Sequence, residues 1–170
     1  MGPNLNPFKF KCLNNKNKRL KIFTWLKKQK VQIIFLQETY TSKTEENQFL
    51  NDWGGPIYFS HGTKHSKGVM ILVQNGFDLD VKKITNDKNG RFIILDTEIE
   101  NITFIFANVY SPNVSSEQKV FSESLQNYLE KYDGDKIYLG GDFNCSLTSL
   151  DKQAGTSVYQ NQHVINAIHN

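Results

Sequence analysis

The stretch KIYLGGDFN, Lys136–Asn144, carries an apolar strand-like run into two glycines and then sets Asp142 and Asn144 one residue apart. Side chains alternate along a strand, so continued extension would turn Asp142 and Asn144 to one side and Phe143 into the core. Two oxygen-bearing side chains at that spacing suit a hard cation. The same Asp-x-Asn pattern also suits a turn that closes a strand, and taken alone the turn is the simpler reading. Gly140 and Gly141 leave room for a neighbouring backbone or a substrate to come close.

Two further strand-like runs end in the same way. Val31–Gln37 (VQIIFLQ) is continuously apolar and β-branched, as expected of a strand covered on both faces, and Glu38 follows it. Ile102–Tyr110 (ITFIFANVY) ends in Asn108 and Tyr110, with Asn113 just beyond. Polar groups at the carboxyl ends of several strands are how α/β folds assemble sites. The donors offered are carboxylate and amide oxygens, a set that favours Mg²⁺ over zinc. Each residue has a plainer role open to it: Glu38 could cap a turn, and Tyr110 could be a core aromatic with a wet hydroxyl.

Around these ends the chain alternates helix and strand, then becomes mostly strand. Asn15–Lys30 has helical spacing, with Leu20, Ile22, Phe23, Trp25 and Leu26 on a broad apolar face. Ser42 and Glu45 form a capping-box pair, as do Ser115 and Gln118. The second pair would start a helix with Val120, Phe121, Leu125, Tyr128 and Leu129 on its apolar side. Gly68–Val73, Phe77–Ile84 and Arg91–Ile99 read as strands, the last two joined by the turn Asn86–Gly90. Hairpins beside helix-linked strands predict mixed sheets flanked by helices, a layered α/β sandwich in a single domain over residues 1–170.

Composition is ordinary for a globular chain, with 38% hydrophobic and 22% charged residues and a net charge of +3. The charge is unevenly spread. Nine of the 20 basic residues fall in residues 1–37, where no Asp or Glu occurs, leaving 11 against all 17 acidic ones. Such a segment serves either as a solvated helix face or as a contact for a polyanion. Cys12 and Cys145 lack metal-site spacing and read as thiols of a reducing compartment, with a disulfide between them as the alternative. No run is long and apolar enough for a membrane span, and the N-terminus lacks the apolar core of a signal peptide. The expectation is an intracellular protein, nuclear or cytoplasmic, neither secreted nor membrane-bound.

Together and in order, LQET (Leu36–Thr39), SKGVMIL (Ser66–Leu72), NVYSPN (Asn108–Asn113) and GGDFN (Gly140–Asn144) resemble the endonuclease/exonuclease/phosphatase superfamily. The likeness is greatest to the apurinic-endonuclease-like domain of LINE-type (non-LTR) retrotransposons, and it runs from about residue 9 to about residue 155. It implies a four-layered α/β sandwich that hydrolyses DNA phosphodiesters with Mg²⁺, or Mn²⁺ in its place. By motif match Glu38 is the metal ligand. Asp142 stands at the metal and activates the attacking water. Asn144 and Tyr110 hold the phosphate, and Asn113 shapes the loop or touches DNA.

The chain departs from that pattern twice. Lys9 falls where the family carries a metal-binding Asn, and an ammonium has no lone pair to offer; Cys12 falls on the accompanying Gly. No Ser-Asp-His motif follows, and His163 and His169 are not preceded by Ser-Asp. These departures imply a C-terminally incomplete or degenerate copy with impaired activity. The alternatives are a non-catalytic nucleic-acid-binding remnant, or a phosphoesterase of the same superfamily acting on another phosphate ester. His61 and His65 read as loop residues.

Overall fold

The computed structural model describes residues 5–9, 13–132 and 136–144. Cys12, Cys145, His163 and His169 lie outside them. The described residues divide into two compact units. The first runs to Tyr110 and takes in the strand Lys136–Asp142. The second begins at Ser111, and Phe143 and Asn144 belong to it.

The first unit holds two sheets, each of four strands among the described residues. One has the order β1 (Leu5–Lys9), β2 (Ile33–Gln37), β4 (Val69–Val73), β3 (Ile57–Ser60). β1 runs parallel to β2, and the other pairs are antiparallel. In the second sheet β5 (Asp80–Asn86), β6 (Phe92–Ile99) and β7 (Ile102–Tyr110) form an antiparallel meander, and β8 (Lys136–Asp142) lies parallel to β7. The mixed sheets expected from the hairpins and helix-linked runs are present.

β2 has all five residues buried because both its faces are covered. Ile33 and Phe35 face the second sheet, in a cluster with Val69, Ile71, Ile93, Leu95, Phe104 and Phe106. Ile34 and Leu36 face the helices α1 (Lys16–Lys27) and α2 (Glu46–Trp53), with Met70, Leu72, Phe23, Leu26, Phe49 and Trp53. Period-two alternation thus supplies both cores from one strand. At about 25 cal/mol per Å² of apolar area removed from water, a strand buried on both faces contributes to both cores at once.

The face of α1 differs from the sequence expectation. Phe23 and Leu26 are buried, but Leu20 and Trp25 are exposed, at 37% and 43%. Their place is taken by Arg19, at 1% exposure. Its Nε and Nη2 both donate to Asp52 Oδ2 at 2.8 and 2.6 Å, Nη1 donates to the Leu13 carbonyl at 2.9 Å, and the guanidinium lies 4.3 Å from the Phe49 ring centroid. A buried arginine is tolerated because Asp52 of α2 meets its charge and the Leu13 carbonyl takes a further donor. Asn15 caps α1, its Oδ1 accepting from the Lys18 N–H.

The Ser42–Glu45 box forms as expected and opens one turn of 3₁₀ helix that leads into α2. The Ser115–Gln118 pair does not form a box. In the second unit α3 (Ser115–Leu129) has Val114 as N-cap, and Gln118 Nε2 instead donates to the Pro112 carbonyl at 2.9 Å. Along α3 the buried residues are Gln118, Ser122 and Leu125, whereas Val120 is 67% exposed. Among the described residues, no helix is long and apolar enough to cross a membrane.

Candidate active site

The site is built where β2, β7 and β8 reach their carboxyl ends, within the first unit. β2 stops at Gln37 because Glu38 takes a left-handed backbone, φ 53°, and Tyr40 does so again at 54°. Such conformations cost non-glycine residues on the order of 1 kcal/mol each and persist only where the surroundings hold them. Here the Thr39 N–H donates to the Gly68 carbonyl and the Tyr40 N–H to the Lys67 carbonyl, both at 3.1 Å. Gly68, at φ 90°, sits so close that a Cβ there would lie 2.7 Å from Thr39 Oγ1.

Side chains add a second set of ties to the same segment. Thr39 and Thr41 are fully buried, with their hydroxyls 3.4 Å apart. Thr41 Oγ1 lies 3.1 Å from His61 Nδ1, and His61 Nε2 lies 2.7 Å from Glu46 Oε1. A carboxylate only accepts, so Nε2 carries the proton, and in the neutral ring the Thr41 hydroxyl donates to Nδ1. His61 also stacks on Phe59, with ring centroids 5.2 Å apart. His61 lies in the loop after β3, as its sequence reading expects, and there it is a packed strut for the Glu38 turn. His65, in the exposed part of the following turn, is not.

Glu38 itself is 3% exposed. The Tyr40 hydroxyl donates to its Oε2 at 3.3 Å, and the Tyr110 hydroxyl bonds the same carboxylate. Tyr110 ends β7, and in the parallel register it stands opposite Asp142 at the end of β8. Burial pushes the Tyr110 phenol above its ordinary value of 10.0, and the charge of Glu38, its hydrogen bond and, more weakly, Asp142 push the same way. The Arg91 guanidinium, 5.1 Å from the Tyr110 ring centroid, pulls it down. Tyr110 is thus a neutral phenol between two carboxylates, and the fold brings Glu38, Tyr110 and Asp142 together.

Asn108, two residues earlier on β7, points the same way but into the protein. It is fully buried, and Nδ2 donates to the Leu36 and Met70 carbonyls at 3.0 and 2.9 Å. Its Oδ1 accepts from Gln37 Nε2 at 2.7 Å. This amide bolts the second sheet to β2 and β4 directly beneath Glu38. The two glycines of β8 serve close packing. A Cβ on Gly141 would run into the Val109 carbonyl, and one on Gly140 would lie 3.1 Å from the Phe35 ring.

Asn144 departs from the alternation expected of it. β8 ends at Asp142, and Asn144 turns left-handed at φ 48°. Within the second unit its Nδ2 donates to the Ser111 carbonyl at 2.6 Å, and its own carbonyl accepts from Gln118 Nε2 at 3.0 Å. Asn113, in the same unit, is exposed. Lys9 ends β1 opposite Gln37, one residue before Glu38. The sequence reading passed over Tyr40, Gln37 and Arg91. Arg91 carried the one visible signal, a lone cation between a Gly-containing turn and an apolar strand.

Among the described residues no three His, Cys, Asp or Glu side chains gather as a cation cage. The donors at the site are the oxygens of Glu38 and Asp142, both felt by one phenol. That set does not suit a closed nitrogen–sulfur zinc site. It fits Mg²⁺, which binds through one or two carboxylates and keeps waters and substrate phosphates as its other ligands.

The chain belongs to the endonuclease/exonuclease/phosphatase family, which it matches over residues 11–160. It is 32% identical over 139 residues, 81% of its length, to the transposon TX1 uncharacterized 149 kDa protein of Xenopus laevis. The matched stretch is 11% of that protein. Its fold is that of an AP endonuclease from Archaeoglobus fulgidus, with a TM-score of 0.70 at 22% identity, covering 97% of this chain and 68% of that one. AP endonuclease LMAP from Leishmania major gives a TM-score of 0.73 at 12% identity, covering 97% and 64%. The α/β sandwich with two sheets flanked by helices is therefore the fold of this family.

Proposed function

We propose that this chain is the nuclease domain of a retrotransposon-type element and hydrolyses DNA phosphodiesters with the help of Mg²⁺. The observation that carries the reading is the meeting of Glu38, Tyr110 and Asp142 at the carboxyl ends of strands from both sheets. Family membership and the transposon relative support it.

Glu38 and Asp142 are the residues that would hold the cation, which when bound neutralises phosphate charge. Asp142 takes a proton from the attacking water, a role for which an ionised carboxylate serves. Tyr110 keeps its proton, because burial and both carboxylates oppose its ionisation, and it would turn that single donor from Glu38 to a phosphate oxygen once substrate is seated and Glu38 serves the cation. Glu38 is turned toward that phenol by its left-handed backbone, which the Gly68 and Lys67 carbonyls hold in place. Asn144 and Asn113 stand as further phosphate and DNA contacts by motif match. Lys9 at the family's Asn position supplies no ligand, so weakened metal affinity and a slow enzyme follow.

The test is nicking of supercoiled plasmid with Mg²⁺ and with EDTA. Activity should require the metal, and Glu38→Gln or Asp142→Asn should lower it at least about 100-fold, the loss expected when a charge-stabilising group is removed. Nicking that survives EDTA, or that Glu38→Gln leaves intact, would refute the reading. A binding-only role has its own support in the exposed Lys16, Lys18 and Lys21 along α1 and Lys28 at its C-cap. It requires salt-sensitive DNA binding with no nicking at any metal concentration.

A further inference from the structure

We infer that the outward face of α1 is a binding site for single-stranded nucleic acid, with Trp25 stacking on a base and Lys18, Lys21 and Lys28 meeting phosphates along the strand. The site goes beyond the nuclease reading and does not depend on it.

The rotational setting of α1 creates this face. Arg19, Phe23 and Leu26 are its buried residues, and Asp52 holds the Arg19 guanidinium inward at 2.6 and 2.8 Å. With that side fixed, Lys18, Lys21, Trp25 and Lys28 follow at spacings of three, four and three, a single exposed stripe turned away from the core. Leu20, Lys21, Thr24, Trp25 and Lys28 line a groove of about 390 Å³. An exposed indole on its own calls for no explanation. One set in a groove between two lysines offers a π-face and cations to the same ligand.

Charge complementarity selects that ligand. Residues 1–37 contain no Asp or Glu, and Asp52, the α2 carboxylate that meets α1, is taken up by Arg19 on the buried side. The face therefore matches a polyanion. Single-stranded nucleic acid adds what a duplex lacks, bases that can stack on an aromatic ring while the backbone tracks the cations. A membrane surface is a poorer match, because the apolar side of the helix, Phe23 and Leu26, is spent in the core.

The Trp25 end of the stripe also stands away from Glu38. Lys27, in the last turn of α1, lies over the Trp53 ring, and Trp53 Nε1 donates to the Val73 carbonyl at 2.7 Å. Val73 pairs with Ile33, where β2 begins, whereas Glu38 follows the residue where β2 ends. At about 3.3 Å per residue, those two ends lie about 16 Å apart.

The test is titration of the full chain, in EDTA, with short oligo-dT and with oligo-rU, followed by intrinsic fluorescence and by anisotropy of a labelled strand. The other tryptophan, Trp53, is 2% exposed, so quenching on binding reports Trp25. Quenching by oligo-dT, by oligo-rU or by both supports the site and tells which sugar it accepts. Trp25→Ala should weaken binding about tenfold, the scale of one stacked base, with the salt slope unchanged because no charge is lost. Lys21→Gln with Lys28→Gln should make the slope of log K against log [KCl] shallower by about 1.4, at about 0.7 for each phosphate contact on a single strand. Circular dichroism identifies variants that keep their fold. Wild-type affinity in folded Trp25→Ala, an indole that binding leaves unquenched, or a dA·dT duplex that binds and quenches as well as oligo-dT overturns the assignment. So does emission that shifts with phosphatidylserine vesicles and with neither strand. Should Trp25→Ala fail to fold, the double lysine variant decides, and a wild-type slope there overturns the site. Plasmid nicking is read separately, so the failure of either reading leaves the other standing.

Discussion

Replacing Asn108 by alanine should destabilise the protein about as much as truncating a buried aliphatic residue, although it removes a polar side chain. The side chain makes three hydrogen bonds, at 2.7, 2.9 and 3.0 Å, and all partners are buried. Alanine would leave Gln37 Nε2 and two main-chain carbonyls without this partner. Each abandoned buried group costs about 1–3 kcal/mol. The carbonyls each keep a second lone pair for the sheet, so the lower end of the range applies and the sum is about 3 kcal/mol. That is a large part of the roughly 5–15 kcal/mol available to a domain, and corresponds to a fall in Tm of about 10 °C. Asn108→Asp is the sharper control. It keeps the shape and the acceptor for Gln37, but sets a carboxylate oxygen against two carbonyls, so it should be less stable than the alanine variant at neutral pH. Urea unfolding followed by tryptophan fluorescence measures both. A loss below about 1 kcal/mol in Asn108→Ala, or an Asp variant as stable as the parent, would refute the cross-sheet bolt.

Breaking the Arg19–Asp52 pair should also be costly, about 3–5 kcal/mol for Arg19→Ala, because it strands a carboxylate beside the core. A double-mutant cycle with Asp52→Ala measures the coupling, and additive losses would show the pair to be inert. Gly68→Ala should cost about 2 kcal/mol or more from its positive φ and the clash with Thr39, and should slow plasmid nicking by loosening the Glu38 turn. Thermal melts and nicking rates test it together, and a variant that is stable and fully active would count against the turn's role. Burial raises the Tyr58 phenol above 10.0, so its contribution to stability is complete below about pH 10 and is lost as pH climbs through the folded value. Tyr58→Phe should therefore flatten the alkaline fall in stability measured by urea titration, and an unchanged slope would refute the assignment.

Much of this architecture was readable where neighbours in the chain decide the outcome. The unbroken apolar run before Glu38 predicted a strand covered on both faces, and β2 is fully buried. The Asn86–Gly90 turn and the pattern on either side predicted a hairpin that forms between β5 and β6. Errors arose where the decision is made at a distance. Trp25 reads as core by type yet is exposed, while Arg19 reads as surface and is buried, because Asp52 meets it from 33 residues away. β3 was missed: four residues beside Pro56 carry too little alternation to be told from a loop, and pairing with β4 creates the strand.

By itself the sequence determined the local elements and which residue types stand at the strand ends, since period, caps and turn chemistry act within a few residues. From those came the mixed α/β class and the superfamily resemblance. Only the tertiary structure decided the work of each polar residue. Asn108 and Glu38 look alike in the sequence, as polar residues near the ends of apolar strands. Asn108 is consumed as a bolt by Gln37, 71 residues distant, whereas Glu38 is turned by its left-handed backbone toward Tyr110. A buried polar group must find a partner, and which partner is within reach is set by how the sheets pack, not by the residues on either side.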